Sequence, residues 1–264
     1  MPEGHTLHRL ARRHTELLVG RTVAADSPQG RFELGARYLH GRTFAAVEAY
    51  GKHLFYDVGD ADLLHVHLGL YGKFFDGPQP APPVRGAVRL RLQTDEAWIE
   101  LRGATAVELV DPAHHAEILG RLGPDPLRPR TKPDRFLDRA SASRAPIAAI
   151  LMDQSMIAGI GNVFRAELLF RAGIEPHRSG RDVGRTELTE LWADVSAQLR
   201  AGVKAGRIVT TRPADRTTSR GPASTDDAHY VYRRTGLPCR LCGTPIRHET
   251  LLGRNLFWCP TCQR

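Results

Sequence analysis

Leu7, Leu10, Ala11, His14, Leu17 and Leu18 recur at helical spacing over residues 4–18, and Gly20 ends the pattern. The period then shortens. Arg42–Tyr50, His53–Val58, Leu63–Leu68, Ala87–Gln93 and Trp98–Leu101 carry β-branched or alternating apolar residues with turn signals between them. Several short strands of this kind predict an antiparallel sandwich. Between them, Gly77–Pro83 reads as an exposed loop rather than a strand. After residues 123–126 the pattern turns helical. Pro146 suits a first turn before Ile147, Ile150 and Leu151, and the glycine-bearing turn 157–162 follows. A second helix begins near Val163, passes Phe164, Leu168 and Leu169, and stops at Gly173. A third carries Leu188, Leu191, Trp192, Val195, Leu199 and Val203, an apolar stripe that reads as core packing. Residues 207–228, rich in Arg, Thr, Ser and Pro, read as a mobile loop leading to the C-terminal segment.

Composition narrows the class. The 264 residues allow two or three small domains. With 37 Lys and Arg against 29 Asp and Glu, the formal net charge is +8, which implies a polyanionic partner. A hydrophobic fraction of 41% supports real cores and argues against disorder. No apolar run approaches the roughly 18 residues of a membrane span. The segment Met-Pro-Glu-Gly-His-Thr lacks the basic and apolar regions of a signal peptide. Membrane, secreted disulfide-scaffold and collagen-like classes are excluded, leaving a soluble, cytoplasmic protein as the expectation.

All four cysteines fall at the end, as Cys239, Cys242, Cys259 and Cys262 in the spacing C-x2-C-x16-C-x2-C. Four thiolates close a tetrahedral site around one structural Zn²⁺ and leave no open position for chemistry. Two disulfides are the competing reading, disfavoured in a cytosolic chain without other cysteines. A minidomain of this size lacks a self-sufficient core, so metal binding supplies its folding energy. Ile246–His248 and Leu256–Trp258 read as two strands, with Gly253-Arg254-Asn255 at a basic tip.

Candidate chemistry is sparse elsewhere. Removal of Met1 would leave Pro2 with a free secondary amine, of which a neutral, nucleophilic fraction exists at pH 7. Its iminium adduct with a carbonyl stays cationic and is an electron sink for elimination, and Glu3 could move the protons. Chance occurrence of Met-Pro is the bland alternative. Gly159-Ile160-Gly161-Asn162 lacks the third glycine of a dinucleotide fingerprint; it is either a plain helix corner or a turn aiming N–H groups at a phosphate. Lys52 sits at a turn between two strands, and His65 and His67 share one strand face without an evident third metal ligand. His114-His115 reads as a surface loop.

Together these signals resemble one known family, that of formamidopyrimidine-DNA glycosylase and endonuclease VIII. The anchors are Pro-Glu-Gly at 2–4, Gly-Lys at 51–52, Leu151–Gln154 through Gly159–Asn162, and the four-cysteine ribbon containing Arg254. The resemblance spans essentially the whole chain. It implies an α+β multidomain fold: an N-terminal antiparallel β-sandwich with an N-terminal helix (1–118), a helical helix–two-turn–helix domain with a flexible loop (119–228), and a C-terminal four-cysteine zinc ribbon (229–264). It implies a bifunctional DNA glycosylase and AP lyase of base excision repair, acting on damaged double-stranded DNA as a monomer associated with the nucleoid. On this resemblance Pro2 is the nucleophile, Glu3 the acid/base, and Lys52 contacts phosphate and assists proton transfer. Asn162 and Arg254 grip phosphates flanking the lesion, and Arg254 also takes the place of the δ-elimination residue. Arg121, in Arg-Leu-Gly-Pro-Asp, matches a backbone-contacting arginine of the endonuclease VIII branch, and Leu70-Tyr71 resembles that branch's wedge.

The chain departs from the family at three places. His5-Thr6 replaces a second Pro-Glu, Gly69 stands where the best-known endonuclease VIII has glutamine, and Arg102–Thr105 lacks the Arg-Phe of the formamidopyrimidine branch. Oxidised pyrimidines are the expected lesions. The alternatives are a glycosylase preferring oxidised purines, and a zinc-ribbon nucleic-acid-binding protein without catalysis. An N-terminal-proline tautomerase fits poorly, since those chains are short and carry no ribbon.

Overall fold

The computed structural model describes residues 2–59 and 61–264, so Met1, and with it the question of its removal, lies outside the described residues. The chain forms two compact units, Met1–Arg121 and Leu122–Arg264.

The first unit runs α1 (Gly4–Leu18), β1 (Thr22–Asp26), α2 (Glu33–Leu39), β2 (Arg42–Thr43), β3 (Ala46–Tyr50), β4 (His53–Asp57), β5 (Leu63–His67), β6 (Lys73–Pro78), β7 (Val88–Gln93), β8 (Ala97–Arg102), β9 (Ala106–Val110) and α3 (Pro112–Gly120). Two antiparallel sheets result, ordered β2-β1-β7-β8-β6 and β3-β4-β5-β9. Strand alternation sends Leu54, Tyr56, Leu64 and Val66 of one sheet and Leu90, Leu92, Ile99 and Leu101 of the other into a shared core. Leu7 and Leu18 of α1 join it, so the predicted helix closes the sandwich. His14 of α1 is fully buried, where burial lowers it to about 4, and its Nδ1 meets Tyr56 Oη at 2.7 Å. The reverse face of the second sheet buries Phe55 and Val110 beneath Ile118 of α3.

Three local expectations change. Gly77 and Pro78 end β6, opposite Trp98 and Ala97 of β8, and only the residues beyond them form the loop. Proline is tolerated there because β6 is an edge strand. His114 and His115 lie in α3, whose Asp111 cap accepts a bond from His114 N at 2.7 Å. The strands β1, β6 and β9 and the helices α2 and α3 are too short or too mixed in polarity to stand out by period.

The second unit contains α4 (Asp134–Ala142), α5 (Ile147–Ile150), α6 (Asn162–Ala172), α7 (Arg185–Ala205), β10 (Arg247–Leu251) and β11 (Arg254–Trp258). Gly173 ends α6 in the left-handed region at φ 69°, where a side chain would be strained. β11 shows why ribbon and helices fold together. Leu256 and Trp258 enter the helical core with Phe164, Leu168 and Leu191, while Phe257 and Cys259 pack with Ala166, Phe170 and Ile246. The hairpin turn is Leu252-Gly253, at φ 49° and 71°, and Arg254 is the first residue of β11, paired with Leu251, rather than part of the tip.

The polar 207–228 segment is fastened at both ends. Glu167, fully buried on α6, accepts N–H bonds from Tyr230, Val231 and Tyr232 at 2.7–2.8 Å and the hydroxyl of Thr210. Asp227 accepts from Thr217 N at 3.1 Å and Arg240 Nη1 at 2.9 Å.

Candidate functional site

The chain's first described residues lead straight into a helix. Pro2 is half-buried, Glu3 is fully buried, and Glu3 is the N-cap of α1, with its carbonyl accepting from Thr6 N at 2.8 Å. Orphan N–H groups and the helix dipole favour an acidic side chain at such a position. His5 and Thr6, the departures from the family pattern, are the second and third residues of α1. His5 is buried, which lowers it to about 4 and leaves it neutral.

Lys52 projects from the two-residue turn between β3 and β4, closed by the pair Tyr50↔His53. Gly51 takes φ 56° at the first central position, where hairpin turns demand glycine. Burial, then His65 and His67, and finally Arg121 and Lys52 all disfavour a charged His53. Arg121 follows α3; its side chain is 64% exposed and lies 3.5 Å from Glu117.

Leu70 and Tyr71 stand out of a tight turn at 46% and 80% exposure, large apolar surface offered to solvent. Gly69 adopts φ 66°, and Gly72 N donates to Leu68 O at 3.0 Å. A Cβ on Gly72 would lie 2.3 Å from that carbonyl, so only glycine closes the turn this tightly. The two remaining departures are neighbours of this turn: Gly69 abuts Thr105, and Gly103 lies beneath the Tyr71 carbonyl.

In the second unit, the side chain of Gln154 builds the glycine turn. Its Oε1 accepts from Gly159 N at 3.1 Å, and its Nε2 donates to Ile160 O at 2.9 Å. Gly123 N donates to Gln154 O, and a Cβ on Gly123 would meet the Met156 backbone at 2.5 Å. Asn162 opens α6, and its Nδ2 donates to Asn255 O at 2.8 Å, the residue after Arg254. The bond ties Asn162 to the neighbour of Arg254, the other residue proposed to grip phosphate. Arg165, 1% exposed, donates to Asn162 Oδ1 and Asn255 O at 2.5 and 2.9 Å and secures the link. Sequence reasoning missed Arg165; its one signal is a cation three residues after Asn162 on a helix otherwise buried.

The four cysteine sulfurs lie within 4.8 Å of one another, with Cys239–Cys262 at 3.8 Å and Cys242–Cys259 at 3.5 Å. Tetrahedral Zn–S bonds of about 2.3 Å require sulfurs roughly 3.8 Å apart, so the donor set fits that ion.

Three family profiles match in chain order. The formamidopyrimidine-DNA glycosylase N-terminal domain covers residues 1–115, its H2TH domain residues 122–213, and the zinc finger found in FPG and IleRS residues 236–264. The chain belongs to the formamidopyrimidine-DNA glycosylase and endonuclease VIII family. It is a DNA glycosylase of base excision repair. Endonuclease 8 1 of Mycobacterium tuberculosis is 46% identical over 267 residues, with both chains fully covered. Formamidopyrimidine-DNA glycosylase of Thermus thermophilus is 31% identical over 267 residues, all of this chain and 98% of that one. Among solved structures, a complex of wild-type Lactococcus lactis Fpg with N7-benzyl-Fapy-dG DNA superposes at a TM-score of 0.84 and 23% identity over both full chains. That likeness establishes a shared fold. Among the described residues, no helix of this glycosylase is long and apolar enough to cross a membrane.

Proposed function

We propose that this glycosylase removes oxidised bases, pyrimidines above all, from double-stranded DNA and then cuts the strand as an AP lyase. The observation that carries the reading is the full-length relationship to a protein named Endonuclease 8 1, joined to Pro-Glu at the mouth of α1. With Met1 removed, the Pro2 amine attacks C1′ and the base departs with its bonding electrons, taking up a proton. Ring opening leaves an iminium between the Pro2 nitrogen and C1′. That cation accepts the electrons released when a C2′ proton leaves, so the 3′-phosphate departs by β-elimination, and the 5′-phosphate follows by δ-elimination. Glu3 moves protons at the sugar, and Lys52 binds phosphate and assists. Leu70 and Tyr71 fill the gap left when the damaged base leaves the stack. Arg121, Asn162 and Arg254 hold backbone phosphates, and Arg254 serves the δ-elimination. Cys239, Cys242, Cys259 and Cys262 hold one structural Zn²⁺ that keeps the Arg254 hairpin folded. The working division is a catalytic part at 1–118, a DNA-gripping part at 119–228 and the ribbon at 229–264, acting as a monomer.

Borohydride reduction with lesion-containing duplex DNA tests the chemistry. The expected result is a covalent complex through Pro2, absent from Pro2→Gly. Wild-type protein that traps nothing, even with an abasic site, overturns the enzymatic reading. Glu3→Gln is expected to retain affinity for damaged DNA while losing most turnover. Single-turnover assays on thymine glycol, dihydrouracil and 8-oxoguanine duplexes decide between pyrimidine and purine preference. The three cationic phosphate contacts, Lys52, Arg121 and Arg254, predict a log–log salt slope of roughly −3 for DNA affinity.

A further inference from the structure

The outer face of the second sheet carries more histidine than packing needs. His53 of β4 and His65 and His67 of β5 share this face, with Phe55 between them and Glu108 of β9 beside His65. His65 is nearly fully buried. Its Nδ1 lies 2.9 Å from Glu108 Oε1, and its Nε2 lies 2.9 Å from His53 Nδ1. A carboxylate only accepts, so His65 Nδ1–H donates to Glu108. Its Nε2 therefore accepts, and His53 Nδ1–H is the donor. One carboxylate thus sets the tautomer and ring orientation of two histidines in succession. Ring contacts complete the hold on His53: its centroid is 5.1 Å from that of His65, with the rings 17° from parallel, and 4.9 Å from that of His67, at a 43° tilt.

His53 directly follows Lys52 and forms the strand pair that closes the Gly51-Lys52 turn. We propose that the series Glu108–His65–His53 is a positioning relay for Lys52, holding that turn in register without touching DNA. The proposal rests on the reading of Lys52 as a working residue of the reaction. The surrounding charges agree with a neutral relay. Burial lowers His53 to about 3, with His65, His67, Arg121 and Lys52 adding to the effect. Burial also holds His65 below its ordinary value, against the pull of Glu108 and with His114 and His115 of α3 nearby. Both rings therefore carry one proton each at neutral pH, as the chain of bonds requires.

The Glu108 side chain is 45% exposed, so truncating it leaves the core intact. Single-turnover cleavage of an abasic-site duplex and affinity for a duplex bearing a tetrahydrofuran abasic analogue are measured for wild type, Glu108→Ala, Glu108→Gln and Lys52→Ala. Glu108→Ala is expected to slow cleavage about tenfold, less than the roughly hundredfold that a full ångström of misplacement can cost, with a smaller loss of affinity than of rate. Glu108→Gln restores the rate, because its amide oxygen accepts the same N–H. In a Lys52→Ala background, Glu108→Ala adds no further loss, since the relay acts through Lys52. A Glu108→Ala rate equal to wild type, a Glu108→Gln rate as low as Glu108→Ala, or an additive loss beside Lys52→Ala each overturns the relay while leaving the enzymatic reading standing. A wild type that cleaves nothing sinks both. His53→Phe, which keeps an aromatic ring and removes the donor, must reproduce the Glu108→Ala loss.

Discussion

Glu100 and Glu167, one buried carboxylate from each unit, are satisfied in opposite ways. Glu100 of β8, in the first unit, meets two guanidinium groups, with Arg91 Nη2 and Arg102 Nη2 both at 2.5 Å. Glu167 of α6, in the second, meets three backbone N–H groups and a hydroxyl. The first arrangement ties strands that already pair along their length. The second holds a loop that has no ladder of its own. Side-chain charge reinforces regular structure in one unit, while in the other a side chain substitutes for missing regular structure.

Removing the proposed zinc should separate the units most sharply. Structural zinc sites contribute on the order of 10 kcal/mol to folding, and β11 feeds the helical core as well as the ribbon. Chelation should expose amides across β10, β11 and the facing side of α6, while hydrogen exchange in the β-sandwich stays slow. Equal loss in both units would erase the distinction.

Glu167→Ala comes next. It strands three buried donors and should cost roughly 3–5 kcal/mol in urea unfolding. Glu100→Ala should cost a similar amount, about 3–5 kcal/mol, by leaving Arg91 buried beside a lost partner. The second replacement decides the comparison. Arg91→Met added to Glu100→Met should recover most of the loss, because an apolar pair can replace an ion pair. Short of proline, no substitution removes the backbone N–H groups that face Glu167. If a second-site substitution at Thr210 restored Glu167→Ala, the contrast would fail.

Gly123→Ala drives a Cβ to 2.5 Å from the Met156 backbone and should cost about 2 kcal/mol. Its expected signature is weaker DNA binding with the borohydride-trapping chemistry of bound substrate unchanged, since the distorted turn holds Asn162, proposed to grip phosphate, and not Pro2. The smallest effect is expected at His177, which meets Glu175 and Glu249 beside Trp258. Burial opposes its charge, but the two carboxylates win and raise its pKa. The clamp's contribution is therefore complete below the ordinary histidine value and is lost as pH rises through the higher folded value. With a 38% exposed side chain, His177→Gln should cost about 0.5 kcal/mol or less. The difference from wild type should vanish above that folded value.

Much of this molecule is legible from residue order. The helix over 4–18, the strands carrying Leu54 and Leu64, and the stripe from Leu188 to Val203 follow from apolar period, because one buried face imposes that period locally. The cysteine spacing points to a metal cluster for the same local reason: two short turns suffice to aim four sulfurs. Pro2, Glu3, Lys52, Asn162 and Arg254 were nameable through motif resemblance, but their surroundings were not. That Arg165 joins Asn162 to Asn255, that Glu108, His65 and His53 lie in one hydrogen-bonded series, and that Glu167 fastens the 207–228 segment are facts of tertiary structure. Each includes a link between residues more than forty positions apart, and a lone charged or polar residue carries no period to betray its partner. Periodicity records which face is buried; only the closed fold decides which polar groups, once buried together, satisfy one another.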